Sequence, residues 1–401
     1  MTEADTEDRP FVDYLAPFEA FQAYGLRGGT IYRGRVRPEF ARDREALRQL
    51  LDAAPGTHRL ENIDGRLYLT LRTYHGPRPR QRLWLHITLL LIAIVTIVGA
   101  GADLSRMYGR DSPAHDDKTQ LHPFEFALES MARVLDGKTE EISAYLWPDF
   151  ANYMARGIPY AVALLFVLLS HEMGHFVAAR RYGVDATLPF VIPAPFLFGT
   201  LGAIIKMRSP IAHRRSLFDI GAAGPIAGLV ASVVVCVIGL SMSSYVPEST
   251  MIGQPFRFGT SVMYRGLARL AMGPPPTAPG VHVLNLDPVA IAGWFGLFVT
   301  FLNLMPLGQL DGGHICYALL GRRQRYVGYA AFALLVGMGY LFVGWLVLAA
   351  LVLLLLRIKH PPVMDESVRL GPVRTAVGIV IIILFLLMFV PVPLVLSRYW
   401  G

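Results

Sequence analysis

Cysteine is almost absent from this chain, and charge is sparse. Only Cys236 and Cys316 occur in 401 residues, one inside an apolar run and one near a basic cluster. That excludes a disulfide framework and a cysteine-built zinc cluster, and both residues read as small packing groups. Charged residues make up 17% of the chain against 53% hydrophobic, where a soluble enzyme carries about a quarter. The first eighty residues hold no signal-peptide pattern and begin too acidic for a transit peptide. No fixed-period repeat is visible. The formal charge of +7 does not point to nucleic acid, because the basic residues gather beside apolar runs. They sit at Arg78, Arg80 and Arg82, at Arg180 and Arg181, and in 206–215, 322–325 and 357–359. Cytoplasmic flanks of membrane helices have that pattern.

What the chain has in abundance is long apolar sequence. Crossing a hydrocarbon core takes about 20 mostly apolar residues, and the runs 83–102, 158–179, 218–240, 289–306 and 377–396 are candidates. The stretch 326–356 would extend ~46 Å as one helix, so it reads either as a hairpin of two segments or as one long tilted helix. These runs predict a mainly α, polytopic transmembrane bundle of about six to seven spans over residues 82–401. Residues 1–81 read as a separate cytoplasmic α+β module, with a strand at 29–36, a helix at 42–53 and a turn and strand at 64–74. His58 and His75 in that module are isolated and read as surface residues. The arginines place the N-terminus inside and 103–157 outside, and counting the runs puts 242–286 outside as well. Without a signal or transit pattern a bacterial inner membrane fits best, with the first run as an uncleaved anchor. The apolar stretch 188–205 lies inside and is broken by three prolines and two glycines, so it reads as a re-entrant hairpin or loop lining a protein cavity.

One apolar run carries unexpected polar residues: Ser170-His171-Glu172-Met173-Gly174-His175. His171 and His175 are four apart, share a helix face and can ligate one zinc ion. Glu172 is placed to take the proton of a zinc-bound water. An HExxH arises by chance roughly once in a hundred chains of this composition. The bland account, hydrogen bonding within a helix bundle, must meet an insertion cost of at least ~2.5 kcal/mol for each ionisable group at membrane depth. A catalytic zinc needs a third protein ligand and an open position. The segment from Asn303 to His314 breaks an apolar helix with Pro306 and Gly308 and then offers the carboxylate of Asp311. The cluster 206–219 offers little beyond Asp219, which reads as a helix cap.

These residues resemble the site-2 protease family of intramembrane zinc metalloproteases. The matches are His171-Glu172-x-x-His175 and Asn303-x-x-Pro306 followed by Leu310-Asp311-Gly312-Gly313. The segments Phe198-Gly199-Thr200-Leu201-Gly202-Ala203, Gly221-Ala222-Ala223-Gly224-Pro225 and His360-Pro361-Pro362 are similar to the plastid EGY-type branch and its bacterial relatives. The resemblance implies that His171, His175 and Asp311 bind one catalytic zinc, that Glu172 is the base, and that Asn303 holds the substrate backbone or the oxyanion. It further implies cleavage in or near transmembrane segments of membrane-protein substrates, within the lipid bilayer. The external loops look too short for the PDZ domains of some relatives, and no cystathionine-synthase-type domain follows the last helix.

Several residues carry two readings. His314, three beyond Asp311, could be a further ligand, but that would close the open position, so a supporting or capping role fits better. Asn303 could simply hydrogen-bond between helices. Gly221, Gly224 and Gly228 read as close helix contacts, and His86 and His213 as interfacial. A substrate must unwind to expose its carbonyls, and Gly199, Thr200, Leu201 and Gly202 could pair with it as an added strand. The competing functions are a metal transporter, a zinc-binding membrane chaperone that does not cut, and a prenyl-protein type of membrane protease. A transporter would need several carboxylates along a path, and the prenyl-protein type of protease has a glutamate as its third ligand where this chain has Leu-Asp-Gly-Gly.

Overall fold

A computed structural model describes residues 14–26, 29–54, 56–74, 82–108, 147–195, 198–247, 256–276, 282–356 and 358–396. His75, Arg78, Arg80 and most of the segment 103–157 read as external lie outside the described residues. The chain opens with β1 (Phe18–Leu26), β2 (Gly29–Val36), α1 (Pro38–Arg42), α2 (Arg44–Ala53), β3 (Thr57–Ile63) and β4 (Arg66–Tyr74). The four strands form an antiparallel sheet in the order β1-β2-β4-β3. Leu47 and Leu51 of α2, four residues apart, lock into Phe18, Val36, Leu69 and Leu71 and close a small apolar core. Asp43 caps α2 by accepting from the Ala46 N–H. The strand at 29–36, the helix near 42–53 and the turn and strand at 64–74 are where the sequence puts them. The partners β1 and β3 are additional.

The remainder is mostly helical. It runs α3 (Leu83–Tyr108), α4 (Trp147–Arg156), α5 (Ile158–Arg181), β5 (Phe190–Pro193), β6 (Thr200–Ile204), α6 (Arg214–Met242), β7 (Ser244–Pro247), β8 (Phe256–Phe258), α7 (Val262–Met272) and β9 (His282–Asn285). Then follow α8 (Pro288–Asn303), α9 (Asp311–Leu320), α10 (Gln324–Met338), α11 (Gly344–Leu351), α12 (Pro372–Leu387) and β10 (Leu394–Leu396). Helices α3, α5 and α6 are long and apolar enough to cross a membrane, and three shorter apolar helices start at Pro288, Gly344 and Pro372. The stretch 326–356 is divided, with α10 and α11 separated by a turn at 339–343. The described residues of 188–205 contain the paired strands β5 and β6 and no helix.

At the centre, α6 lies between α5 and α8. The α6–α8 crossing is tight: a Cβ on Gly239 would stand 2.1 Å from the Ala290 nitrogen, and one on Gly293 would stand 2.7 Å from the Cys236 sulfur. Cys236 is thus the packing residue its position suggests. α6 begins four residues before the apolar run 218–240, because His213 and Ser216 form a capping box. Asp219 therefore lies inside the helix and does not cap it. It accepts two hydrogen bonds from Arg374 at 2.8 Å and one from the Tyr182 hydroxyl. His86 and His213 are both buried. His86 stacks on Phe190 at 3.8 Å between ring centroids, so both imidazoles are packed against protein.

The sheet module rests on one end of this bundle. The Tyr24 hydroxyl donates to the Met364 carbonyl at 2.7 Å, Arg59 donates to the Arg181 carbonyl at 2.6 Å, and Glu61 Oε2 lies 3.5 Å from His213 Nε2. Burial alone would raise the Glu61 pKa, but the His213 hydrogen bond and Arg33 outweigh it and lower it from 4.5 to about 2. A lowered carboxylate stabilises the fold above pH 4.5 and loses that contribution as pH falls toward about 2. Acid titration of the full chain, followed by amide exchange in β2 and β4, should show the module loosening in that window. Glu61→Gln should weaken the module at neutral pH and flatten the titration.

Candidate metal centre

α5 is an apolar helix whose inner face turns polar at one level. Pro159 sits in its first turn, and it ends at Gly183 in a left-handed conformation, φ 65°. Between these ends, His171, Glu172 and His175 are all buried, each about one-twentieth exposed. The third arm comes from 136 residues beyond His175. α8 stops at Asn303, the chain turns through Pro306 and Gly308, and α9 starts at Asp311. That turn is compact because Gly312 and Gly313 have no side chains. A Cβ on Gly312 would lie 1.8 Å from the Leu304 carbonyl oxygen, and one on Gly313 would lie 2.3 Å from that of Gly308. Buried Gln324 braces the same loop by donating to the Pro306 carbonyl at 3.2 Å.

The three predicted ligands converge. His171 Nε2 lies 3.1 Å from Asp311 Oδ2, His175 Nε2 lies 3.2 Å from Asp311 Oδ1, and the two Nε2 atoms are 3.3 Å apart. Ligands about 2.0–2.1 Å from a tetrahedral ion stand ~3.3 Å from one another, so the spacing fits one ion in their midst. Two imidazoles and a carboxylate are zinc ligands that leave a fourth position open. His175 Nδ1 faces the Ile220 carbonyl at 2.8 Å. A proton there fixes the tautomer and leaves Nε2 with its lone pair free for the metal. Among the described residues this is the one group of three or more such side chains able to hold a metal ion.

The rings fit only because α6 carries glycine opposite them. A Cβ on Gly224 would stand 2.1 Å from His175 Nε2, and one on Gly228 would stand 2.7 Å from His171 Nδ1. A Cβ on Gly221 would meet His314 at 2.8 Å. The close-contact reading of these glycines therefore holds, and those of Gly224 and Gly228 are with the site's own imidazoles.

Asn303 Nδ2 is 3.2 Å from His171 Nε2, at the edge of the cluster. Glu172 lines a small recess with Asn303, Ala203, Gly296 and Thr300. That recess joins the site to the β5–β6 hairpin. Gly199 has φ 78° and packs onto α3, where a Cβ would stand 2.4 Å from the Ile97 Cα. Its carbonyl accepts from Thr96 at 2.7 Å. Thr200 is turned inward and bonds to the Ile192 carbonyl, Leu201 projects outward, and Gly202 has φ 107° with open space beside it. His314 is not among the ligands; its Nδ1 lies 2.7 Å from His360 Nε2. The His314–His360 pairing was not legible, because 46 residues separate the two.

Residues 159–344 match the profile of Peptidase family M50. The chain is 31% identical over 252 residues to Probable zinc metalloprotease EGY2, chloroplastic, of Arabidopsis thaliana, covering 61% of this chain and 44% of that protein. It is 33% identical over 246 residues to Probable zinc metalloprotease EGY1, chloroplastic, of Oryza sativa subsp. japonica, covering 60% and 41%. It is 27% identical over 321 residues to the Arabidopsis thaliana EGY1 protein, covering 77% and 54%. The chain thus spans about half the length of these relatives. No solved structure matches it.

Gly224→Ala should leave the helix intact yet lower metal affinity on the order of 10–100-fold, the scale seen when ligand support is lost. Gly266→Ala, with nothing within 4 Å of its added Cβ, should bind metal as wild type does. Chelator competition on the purified variants checks both.

Proposed function

We propose that this chain, which carries a Peptidase family M50 (site-2 protease) domain at residues 159–344, is a zinc-dependent protease that hydrolyses peptide bonds in or near transmembrane segments of membrane proteins. The observation that carries the reading is the convergence of His171, His175 and Asp311 beside Glu172, inside apolar helices. His171, His175 and Asp311 would hold the ion. When bound, it supplies a Lewis acid and lowers the pKa of water in its open position. Glu172 is the general base: its carboxylate, beside the three ligands, takes a proton from the attacking water and can return it to the leaving amine. Asn303, beside His171, is positioned to donate to the substrate backbone or to the developing oxyanion.

Edge strand β6 supplies a substrate platform. Its outer residues Leu201 and Ile204 are exposed, it is paired only to β5 among the described strands, and its Ala203 lines the recess beside Glu172. An unwound substrate segment can add to that edge, gaining main-chain hydrogen bonds while presenting its carbonyl to the site. Gly199, Thr200, Leu201 and Gly202 would form this platform.

The chain would be a multi-pass protein of about six to seven spans, with residues 1–81 as a cytoplasmic module and 82–401 as the membrane protease. Arg180, Arg181, Arg214 and Arg215 lie at the end where the sheet module docks, which supports a cytoplasmic assignment of that end. His171 is nine residues before Arg180, so the ion would lie ~13 Å below that flank. The relatives are named chloroplastic; for this chain we propose a bacterial inner membrane. A transport path would need further carboxylates in series, whereas Asp219, also inside α6, is tied to Arg374 and Tyr182.

Purified protein in lipid, offered a panel of single-span substrates, should yield product. Glu172→Gln should reduce cleavage by at least ~10²-fold, as expected for loss of a general base, while retaining stoichiometric zinc. Cleavage that survives Glu172→Gln would overturn the assignment of the base.

A further inference from the structure

Among the described residues, Arg59, Glu61 and Asp64 of the sheet module's β3–β4 hairpin meet the first or last turns of the two helices that make the metal centre, and Arg72 adds an ion pair to Asp185, just beyond α5, at 3.9 Å. Arg59 Nη2 donates to the Arg181 carbonyl at the C-terminus of α5 at 2.6 Å, where a cation also meets the negative end of the helix. Glu61 lies against His213, the N-cap of α6. Asp64, in the hairpin turn at φ 52°, receives both hydrogen bonds of Arg215 Nη2 at 2.8 and 2.9 Å. One rigid turn therefore grips the end of the helix that bears His171 and His175 and the start of the helix that seats them.

The Glu61 contact does something particular. His213 Nδ1 accepts the Ser216 N–H at 3.0 Å, so that nitrogen carries no proton and the proton sits on Nε2. Nε2 faces the Glu61 carboxylate, which is itself held by Arg33 at 3.1 Å and Arg59 at 3.2 Å. Glu61 thereby selects the one tautomer in which histidine can serve as an N-cap. The seating of the metal ligands is sensitive to where α6 starts. Its Ile220 carbonyl receives His175 Nδ1, and Gly224 and Gly228 face the two rings with no spare room.

We infer that Glu61, Asp64 and Arg59 are positioning residues for the metal centre, which they serve by stapling the offset between α5 and α6. The inference rests on the metal-centre reading above but not on proteolysis. On this account the N-terminal module is a working part of the site, although it contributes no ligand.

The test is cobalt(II) binding to the full chain in lipid, read by apparent affinity and by the visible d–d spectrum. Glu61→Met should lower cobalt affinity about tenfold and alter the spectrum. Asp64→Asn, which keeps a residue tolerant of positive φ and lies at an exposed turn, should lower affinity about threefold. Asparagine is an N-cap that needs no tautomer, so in a His213→Asn background Glu61→Met should produce a clearly smaller further loss, the part that comes through Arg33 and Arg59. A purely structural role for Glu61 would cost the same in both backgrounds and would overturn the inference. So would cobalt affinity and spectra unchanged in Glu61→Met and Asp64→Asn. If the wild-type chain binds no cobalt at all, the metal-centre reading fails and takes this one with it.

Discussion

The architecture depends on how closely α5 and α6 approach. Two imidazole rings have to stand between these helices and still point their Nε2 atoms at a common centre. A helix with ordinary side chains would push α6 outward by the width of a methyl group. Gly224 and Gly228 remove that layer opposite His175 and His171, and Gly174 does the same for α5, where a Cβ would meet the Ala223 carbonyl oxygen at 2.5 Å. With the gap closed, the Ile220 carbonyl reaches His175 Nδ1. The same helix thus provides the space and the orienting acceptor.

A second constraint is imposed by chain reversal. Asp311 must arrive from outside the HExxH helix, and it does so at the first residue of a helix that begins immediately after a broken one. Pro306 ends regular pairing, Gly308 takes φ 49°, and the glycine pair after Asp311 lets α9 fold back against the loop. Burying ionisable groups in apolar helices is expensive unless they are paired or coordinate a metal. The cluster meets that condition by gathering its carboxylate and imidazoles within hydrogen-bonding distance of one another, which is also the spacing a bound ion requires.

The parts of this arrangement that were legible in the sequence are the local ones. His171 and His175 are four apart, so helical geometry alone puts them on one face. Asp311 was legible because proline and glycine interrupt an apolar run just before it. The division of 326–356 was left open by length alone, and the turn at 339–343 resolves it in favour of two segments. What sequence could not supply were pairings across long separations. Asp219 looked like a helix cap because aspartate often is one; its partner Arg374 lies 155 positions away. The capping role of His213 was not legible because histidine is an uncommon N-cap and the carboxylate it faces belongs to β3. Strands β1 and β3 were missed because neither alternates cleanly between apolar and polar residues, and each is held in place by its pairing with β2 or β4. The glycines of α6 were visible as a pattern of small residues, but which rings they accommodate depends on the α5–α6 register.

The most direct test is X-ray absorption at the zinc edge on the full chain purified in lipid. The structure predicts a shell of nitrogen and oxygen at about 2.0–2.1 Å, with scattering from two imidazoles that falls to one in His175→Ala. A shell containing sulfur, or one whose imidazole signal is unchanged when both His171 and His175 are removed, would contradict it.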